Sequence, residues 1–489
     1  MSERQWHTRE FPEAAKDLLQ NSQLRKNVQH ATTVIQGKRN KVTAELPDWE
    51  DLRESGAQVR AHTLRHLDYY LTKFEENCTR AGGHVHWAAD AAEANRIILG
   101  LVQQHSAKEV IKIKTMTSEE IGLNANLEAH GIRPIETDLA ELIVQLGKDR
   151  PSHFVAPALH INKQQVRTIF QREMNLPELG DKPEDLATAA RNYLREKYLR
   201  IKVAISGGNF MIADSGGVCI LESEGNGRMC LTLPDVLISI IGIEKVIPSF
   251  RDLEIFLQTV PRSATGERMN PYNSVWCGVH PGDGPKEFHV VLLDNGRSPI
   301  LADKESRQTL QCVRCGACLN ACPVYHQTGG HAYESVYAGP IGAILTPQLL
   351  SMEKARSLPY ASSLCGACYE VCPVKINIPE VLIHLRSKVV QQDQATFAGK
   401  FSLWNIGMKT AAFVFENAHR LAMAERLGQI GQKPLVSKNG FIEWLPLMLN
   451  GWTQTRDLKA MPAQSFRQWW AKERGANSNG RTGTEKNNA

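Results

Sequence analysis

Residues 312–323 read CVRCGACLNACP, a C-x2-C-x2-C-x3-C-P run. At this spacing Cys312, Cys315 and Cys318 can wrap three irons of a cubane from one short loop, while the fourth cysteine, Cys322, ligates the other cluster of a two-cluster module. A second block is therefore expected. CGACYEVCP at residues 365–373 supplies it: Cys365, Cys368 and Cys372 precede Pro373 and repeat the run with Ser362 in its first position. Crossing the ligands assigns Cys312, Cys315, Cys318 and Cys372 to cluster 1, a [4Fe–4S] cluster, and Cys322, Cys365 and Cys368 to cluster 2. The second set is one thiolate short. It leaves open a [3Fe–4S] cluster, or a [4Fe–4S] cluster whose fourth iron binds Ser362, a distant thiolate, solvent or a partner. Two C-x2-C pairs also build structural zinc sites. Zinc, however, requires neither the third cysteine nor the two Cys-Pro endings.

Outward from this block, residues 301–392 read as a helical, ferredoxin-type dicluster domain that includes EVLIHLRSKVVQQ. Upstream, residues 66–300 alternate apolar strands with helices: GGHVHWA, then AAEANRIILGLVQQH, then EVIKIKTM. SEEIGLNANLEAHG reads as one helix that starts after Ser118 and is closed by Gly131. The strands KVAISG, FMIADSGG, VCILESEG, LISIIGI and HVVLLDNG complete an α/β domain. Residues 1–65 show helical spacing, and Leu64, Leu67 and Leu71 share one helical face. Residues 393–472, with Trp404, Trp444, Trp452, Trp469 and Trp470, read as a packed, mostly helical appendage. The polar residues 473–489 read as a disordered tail.

A chain of 489 residues has room for roughly three domains. Its 42% hydrophobic and 22% charged residues suit a folded globular protein, and a net charge of +5 without a basic stripe gives no case for nucleic acid. The N-terminus lacks the apolar core of a secretory signal, which points to the cytoplasm. The most apolar stretch, Val236 to Ile243, is ended by Glu244 and Lys245. It is far shorter than the roughly 20 residues of a membrane span and reads as a buried strand. Seven of the eleven cysteines lie in the two runs; Cys78, Cys219, Cys230 and Cys277 read as small buried hydrophobes.

The densest small-residue region, SGGNFMIADSGG with ILESEGNGR, offers a second candidate site. Gly207, Gly208, Gly216 and Gly217 permit positive φ and close backbone approach, so these loops suit a phosphate or carboxylate, or simply tight turns. Asn209, Asp214, Glu222, Glu224 and Asn226 are the candidate ligand residues, with Glu222 and Glu224 read as sharing one strand face. His84 and His86 share a face as well and read as surface polarity. Neither a G-x-G-x-x-G fingerprint nor a Walker A loop occurs, so no nicotinamide or nucleotide motif accompanies the cysteines.

GGNFMIADSGG, ILESEGNGR, TSEEIGLNANLEAHGIRPIETDLAELIVQL and PSHFVAPALHINK resemble the LUD domain. With HAYESVYAGPIGAILTP and the tail segment WTQTRDLKAMPAQSFRQWW, residues 25 to 472 resemble the lactate utilization protein B family. The resemblance implies an α/β LUD domain similar to the ribose-5-phosphate isomerase and CoA-transferase fold, followed by an α-helical ferredoxin-like dicluster domain. It implies an iron–sulfur electron-transfer subunit that acts with companion proteins A and C in oxidising L-lactate to pyruvate, permitting growth on lactate. It also implies that a three-cysteine second block is normal, and it leaves peripheral membrane association open. It assigns no catalytic residue. The competing functions are a self-sufficient LUD enzyme with structural or regulatory clusters, and a cluster-bearing scaffold. Tyr325, His326, His331, Tyr333 and Tyr337 follow the first run and read either as a partly exposed rim for a companion or as packing over a cluster.

Overall fold

VLISIIG, residues 236–242, is buried at every position, as expected of a central strand covered on both faces. The computed structural model, which describes residues 9–446, 449–454 and 456–480 (side chains of 474–480 excepted), places it there. In chain order the strands are β1 (His84–Ala88), β2 (Glu109–Lys112), β3 (Arg133–Glu136), β4 (Val203–Ser206), β5 (Phe210–Ile212), β6 (Gly217–Glu222), β7 (Val236–Gly242), β8 (Val246–Ile247), β9 (Tyr272–Trp276) and β10 (Glu287–Leu293). Six of them form a sheet of order β1-β10-β7-β4-β2-β3, and every neighbouring pair in it is parallel. Alternate residues feed two cores. Leu237 and Ile241 join Ile111, Ala204 and Val290 on one face, while Val236, Ile238 and Ile240 join Val110, Ile205 and Val291 on the other.

The second sheet, of order β8-β5-β6-β9, pairs β6 antiparallel with β5 and with β9. Reading FMIADSGG and VCILESEG as further members of one alternation did not separate this sheet from the first. Its residues Phe210, Ile212 and Cys219 share a third core with the cysteine runs. Helices α1 (Phe11–Leu18), α2 (Ser22–Thr43), α3 (Trp49–Arg65) and α4 (Leu67–Arg80) precede the sheets. Leu64, Leu67 and Leu71 are buried although His66 separates α3 from α4.

Helices α5 (Ala91–Gln104), α6 (Met116–Glu120), α7 (Leu123–Ala129) and α8 (Leu139–Gly147) follow the early strands. The segment read as one helix from Ser118 to Gly131 is thus two helices, interrupted at Gly122. Ser118 does not cap it. Thr115 does, and the Ser118 hydroxyl instead accepts from Lys112 Nζ and donates to the Thr115 carbonyl. Cys78, Cys219 and Cys230 are buried, but Cys277 is exposed because it lies just past β9, at the edge of the second sheet.

Contacts gather into one unit up to Val389 and a second from Val390. The second unit contains helices Leu403–Phe415 and Ala418–Gly431 and the antiparallel pair β11 (Phe441–Ile442) and β12 (Leu458–Lys459). The expectation of a packed appendage does not hold: all five of its tryptophans are exposed, and among its described residues only Asn405 and Ile442 are buried. Leu403–Phe415 carries apolar side chains around its circumference, and its short neighbours cannot cover them all. Helix Phe466–Gly480 continues into the segment expected to be disordered, because AKER propagates it; residues 481–489 lie outside the described residues. Among the described residues no helix is long and apolar enough to cross a membrane.

One turn separates backbone freedom from packing. Gly216 has φ +66°, and a Cβ there would meet Cys78 N at 2.2 Å at the end of α4; Gly131 has φ +74° in open space. Gly131→Ala is expected to cost about 1 kcal/mol, and Gly216→Ala about 3 kcal/mol. Equal losses in thermal or denaturant unfolding of the two variants would contradict this packing.

Candidate functional site: the cysteine loops and the adjoining cavity

Both cysteine runs adopt one loop shape. Arg314 and Gly316 flank Cys315 at φ +60° and +77°, and Leu364 and Gly366 flank Cys365 at +55° and +85°. Each loop then enters a short helix, Ala317–Ala321 or Ala367–Glu370. Arg314 N donates to Cys312 Sγ at 3.3 Å, and in the second loop Leu364 N donates to Ser362 Oγ at 3.1 Å. Ser362 therefore occupies the position of Cys312 in its own run.

Cys312, Cys315, Cys318 and Cys372 line a cavity of about 20 Å³ walled by Phe154, Ile341 and Ile376. Burial and the neighbouring thiols push Cys315 up to about 12 and Cys372 to about 11. Cys322, Cys365 and Cys368 interact electrostatically with one another. Burial raises Cys368 to about 12, whereas Cys365 is exposed and lowered by the Ala367 N–H and the Ser363 hydroxyl. One set is enclosed; the other reaches solvent through Cys365.

Arginines from α2 and α3 hold these loops by their carbonyls. Arg39 Nη2 donates to Val371 O at 3.2 Å, Arg53 Nε to Cys372 O at 2.9 Å and Arg53 Nη2 to Tyr369 O at 3.0 Å. Arg60, fully buried, donates to Leu310 O, Val246 O and Glu244 O. Burial lowers it to about 10.

The expected aromatic rim is turned inward. Tyr325, Tyr333 and Tyr337 are buried; Tyr325 OH donates to Ser152 O at 2.5 Å and Tyr337 OH to Glu120 Oε2 at 2.5 Å. His326 bonds Asn320 O, and His331 bonds Arg150 O beside the His160 ring. Backbone and carboxylate acceptors inside the fold satisfy the Tyr325 and Tyr337 hydroxyls and draw those rings inward, whereas the buried Tyr333 hydroxyl has no partner among the described residues. His86 Nε2 lies 3.1 Å from His289 Nδ1, and His84 stacks on the same ring, so the pair lies against β10.

A larger cavity, about 360 Å³, opens where the chain reverses its course through the parallel sheet. Strand β3 lies on one side of β2 and β4 on the other, and ligand sites of open α/β sheets form at the carboxyl ends of strands at such a point. Asn209, Glu222, Glu224 and Asn226 line it; Asp214 does not. The Asp214 carboxylate instead accepts from Phe250 N at 3.3 Å. Glu222 and Glu224 do not share a strand face, because β6 ends at Glu222. Glu222 accepts from the N–H groups of Glu224, Gly225 and Arg228, while Glu224 accepts from Leu139 N. Asn209 Oδ1 accepts from Leu221 N, and Asn226 Nδ2 donates to Thr137 Oγ1. Gly207 and Gly208 border the cavity without positive φ, packed against Thr115 and Ile241.

Charges that the sequence reading had assigned no site complete the wall: Lys114, Glu244, Lys245 and Arg314, beside Cys315. Burial alone would raise Glu244, but Arg297 and Arg314 hold it down at about 2. Burial and then Arg314 lower Lys245 to about 7. The available sequence signal was the abrupt Glu-Lys pair at the end of an all-apolar strand.

A match to the LUD domain covers residues 71–293, and a match to the 4Fe-4S dicluster domain covers residues 308–376. "Lactate utilization protein B" of Oceanobacillus iheyensis is 41% identical over 94% of this chain and 96% of its own. The proteins of that name from Bacillus licheniformis and a Geobacillus species are each 41% identical, over 96% and 94% of this chain and 97% and 96% of their own. A solved DUF162 family protein from Deinococcus radiodurans, 11% identical, covers 46% of this chain and 98% of its own with a TM-score of 0.27, too low to bear on the fold.

Removing charge from Glu244 leaves two buried guanidinium groups short of a counterion. Glu244→Gln is expected to destabilise the protein by about 3–5 kcal/mol, whereas Glu196→Gln, in an exposed pair with Arg200, is expected to leave stability essentially unchanged. Unfolding curves at matched iron content check both, and comparable losses would refute the ranking.

Proposed function

The chain belongs to the lactate utilization protein B family of iron–sulfur proteins, and from that premise we propose that it relays electrons from L-lactate oxidation as one component of a system with companion proteins A and C. Cys312, Cys315, Cys318 and Cys372 would hold a [4Fe–4S] cluster. Cys322, Cys365 and Cys368 would hold a second, either a [3Fe–4S] cluster on these three thiolates or a [4Fe–4S] cluster with Ser362 Oγ at its fourth iron. Iron–sulfur clusters supply one-electron transfer, and oxidation of lactate to pyruvate releases two electrons and two protons.

The residues suit such groups. The thiols are mutually close and mostly buried, and backbone N–H groups already point at sulfur: Arg314 N at Cys312 and Ile376 N at Cys372. Positive charge from iron would convert these raised thiols to thiolates. Arg39 and Arg53, whose fields reach Cys372, offset part of the remaining negative charge.

One observation carries the direction of the relay: the enclosed set touches the 360 Å³ cavity through Cys315, while the other set ends at exposed Cys365. Electrons would enter beside the cavity and leave at the Cys365 edge, where Tyr360, Leu364 and Tyr369 are also exposed and would meet a companion. Phe154 and Ile341 exclude water from the enclosed set. Arg53 and Arg60 fix the loops from which the thiols project.

Prepared without air, the protein is expected to contain on the order of seven to eight irons; stoichiometric zinc without iron would overturn the relay. Cys315→Ser and Cys368→Ser are expected to remove different EPR signals. Loss of the same signal in both would reject the two ligand sets. The chain alone is expected not to oxidise L-lactate and to support dye reduction only once its companions are added. Robust activity of the lone chain would favour a self-sufficient enzyme, and clusters that never change redox state with lactate would favour a scaffold.

A further inference from the structure

The acids and the bases around the 360 Å³ cavity are satisfied to different degrees. Acceptors on the acidic side chains are in use: Asp138 takes Ala140 N and Glu141 N, Glu222 takes three backbone N–H groups, and Glu224 takes Leu139 N. Glu244 is paired with Arg297 and Arg314. The cations keep donors in reserve. Arg314 is nine-tenths buried, and its Nη1 has no hydrogen-bond partner among the described residues; Lys114 Nζ is also buried without one among them. Lys245 Nζ reaches only the Cys312 carbonyl, at 3.5 Å. The nearest carboxylate to Lys114 among the described residues is Glu141 at 3.6 Å, beyond hydrogen-bond reach, and burial raises Glu141 above the usual carboxylate range.

Buried donors without acceptors are costly in a protein interior, and two on cationic side chains that line one cavity call for an anion. The size falls in the range of small-molecule sites. The second nitrogen of Arg314 is engaged by Glu244, and its guanidinium lies over the Tyr337 ring at 4.7 Å, which fixes the direction of the free one.

We infer that this cavity binds a small 2-hydroxy- or 2-oxo-carboxylate, its carboxylate held by Lys114 Nζ and Arg314 Nη1. Asn209 and Lys245 border the remaining space and are the polar partners for the second oxygen function. The anion site rests on the unpaired donors. The choice of a hydroxy or oxo acid rests on the lactate reading above. Cys315 in the same wall places the ligand next to the enclosed cysteine set.

The test uses the full iron-loaded chain under nitrogen, with equilibrium dialysis against labelled L-lactate and pyruvate. The wild type is expected to bind saturably. Lys114→Gln is expected to weaken binding about tenfold or more, Lys114→Arg to restore most of it, and both to retain iron. Ser223 is exposed at the cavity mouth, so Ser223→Trp tests the same site by obstruction without touching a buried charge. Unchanged binding in Lys114→Gln and Ser223→Trp would overturn the inference. So would absence of saturable binding in the wild type, or displacement of lactate by inorganic phosphate as readily as by pyruvate. Lactate-driven EPR of the complex with companions separates the two readings. Cluster reduction that persists while the cavity variants bind normally removes the cavity and leaves the relay. Normal ligand behaviour with clusters that lactate never reduces removes the relay and leaves the cavity.

Discussion

Glu244 leaves strand β7 with its carboxylate out of reach of water, and burial of that charge is tolerable only because every nearby element supplies a partner. Oε2 accepts from Arg297 Nε at 2.5 Å, Oε1 from Arg314 Nη2 at 3.3 Å, and the backbone carbonyl from Arg60. Arg297 then reaches Glu120 twice, and Glu120 accepts from Tyr337, whose ring lies under Arg314. The network thus closes on itself and joins the parallel sheet, helix Arg297–Ala302, helix α6, helix α3 and the first cysteine loop. Removing any one charge from this network would leave its partners buried and uncompensated. The sheet and the cysteine loops are therefore held in one relative arrangement, and the cavity between them has a defined shape.

The same logic accounts for the N-terminal helices. A cysteine loop this short cannot pair its carbonyls within itself, and Arg39, Arg53 and Arg60 take up that role from α2 and α3. Arg39 reaches one backbone carbonyl, Arg53 two and Arg60 four, and the planar fork of a guanidinium suits such multiple contacts. Residues 1–65 appear in the sequence as an independent helical preface, yet their polar face is the support on which both loops rest.

What was legible in the sequence was local. Strand β7 was recognisable from an unbroken apolar run, α5 from the helical character of AAEANRIILGLVQQH, and the cysteine loops from intervals that suit cluster ligation. What was not legible depends on distant partners. Arg314 looked like a spacer between ligands until Glu244, seventy residues earlier in the chain, came to face it. Glu222 and Glu224 looked like a pair on a strand, but a turn after Glu222 sends one to cap its own loop and the other to the start of α8. The tyrosines after the first run read equally as a surface rim or as interior packing, and the buried acceptors Ser152 O and Glu120 decide for packing. The tryptophan-rich segment failed for the opposite reason: apolar content promises burial only where another surface is available to cover it, and short helices with a two-residue strand pair offer little.

Ser362 shows how far a loop can outlast its ligand atom. Positive φ at a non-glycine residue is uncommon and carries a steric cost of about 1 kcal/mol or more, yet Leu364 adopts it as Arg314 does, and both donate their N–H to the residue two places earlier. Nothing in the packing of exposed Leu364 requires that backbone. Its recurrence fits the proposed placement of residues 362, 365 and 368 around one centre and of 312, 315 and 318 around another. On the proposed ligand sets the two sites would differ in two respects that act on redox behaviour, a hydroxyl in place of a thiolate and an exposed Cys365 in place of buried or half-buried cysteines. Net charge at the ligands and access of water are levers by which a protein separates the potentials of two like clusters. A chain that repeats one loop while changing both levers has the means to make its two sites unequal, as a directional relay requires.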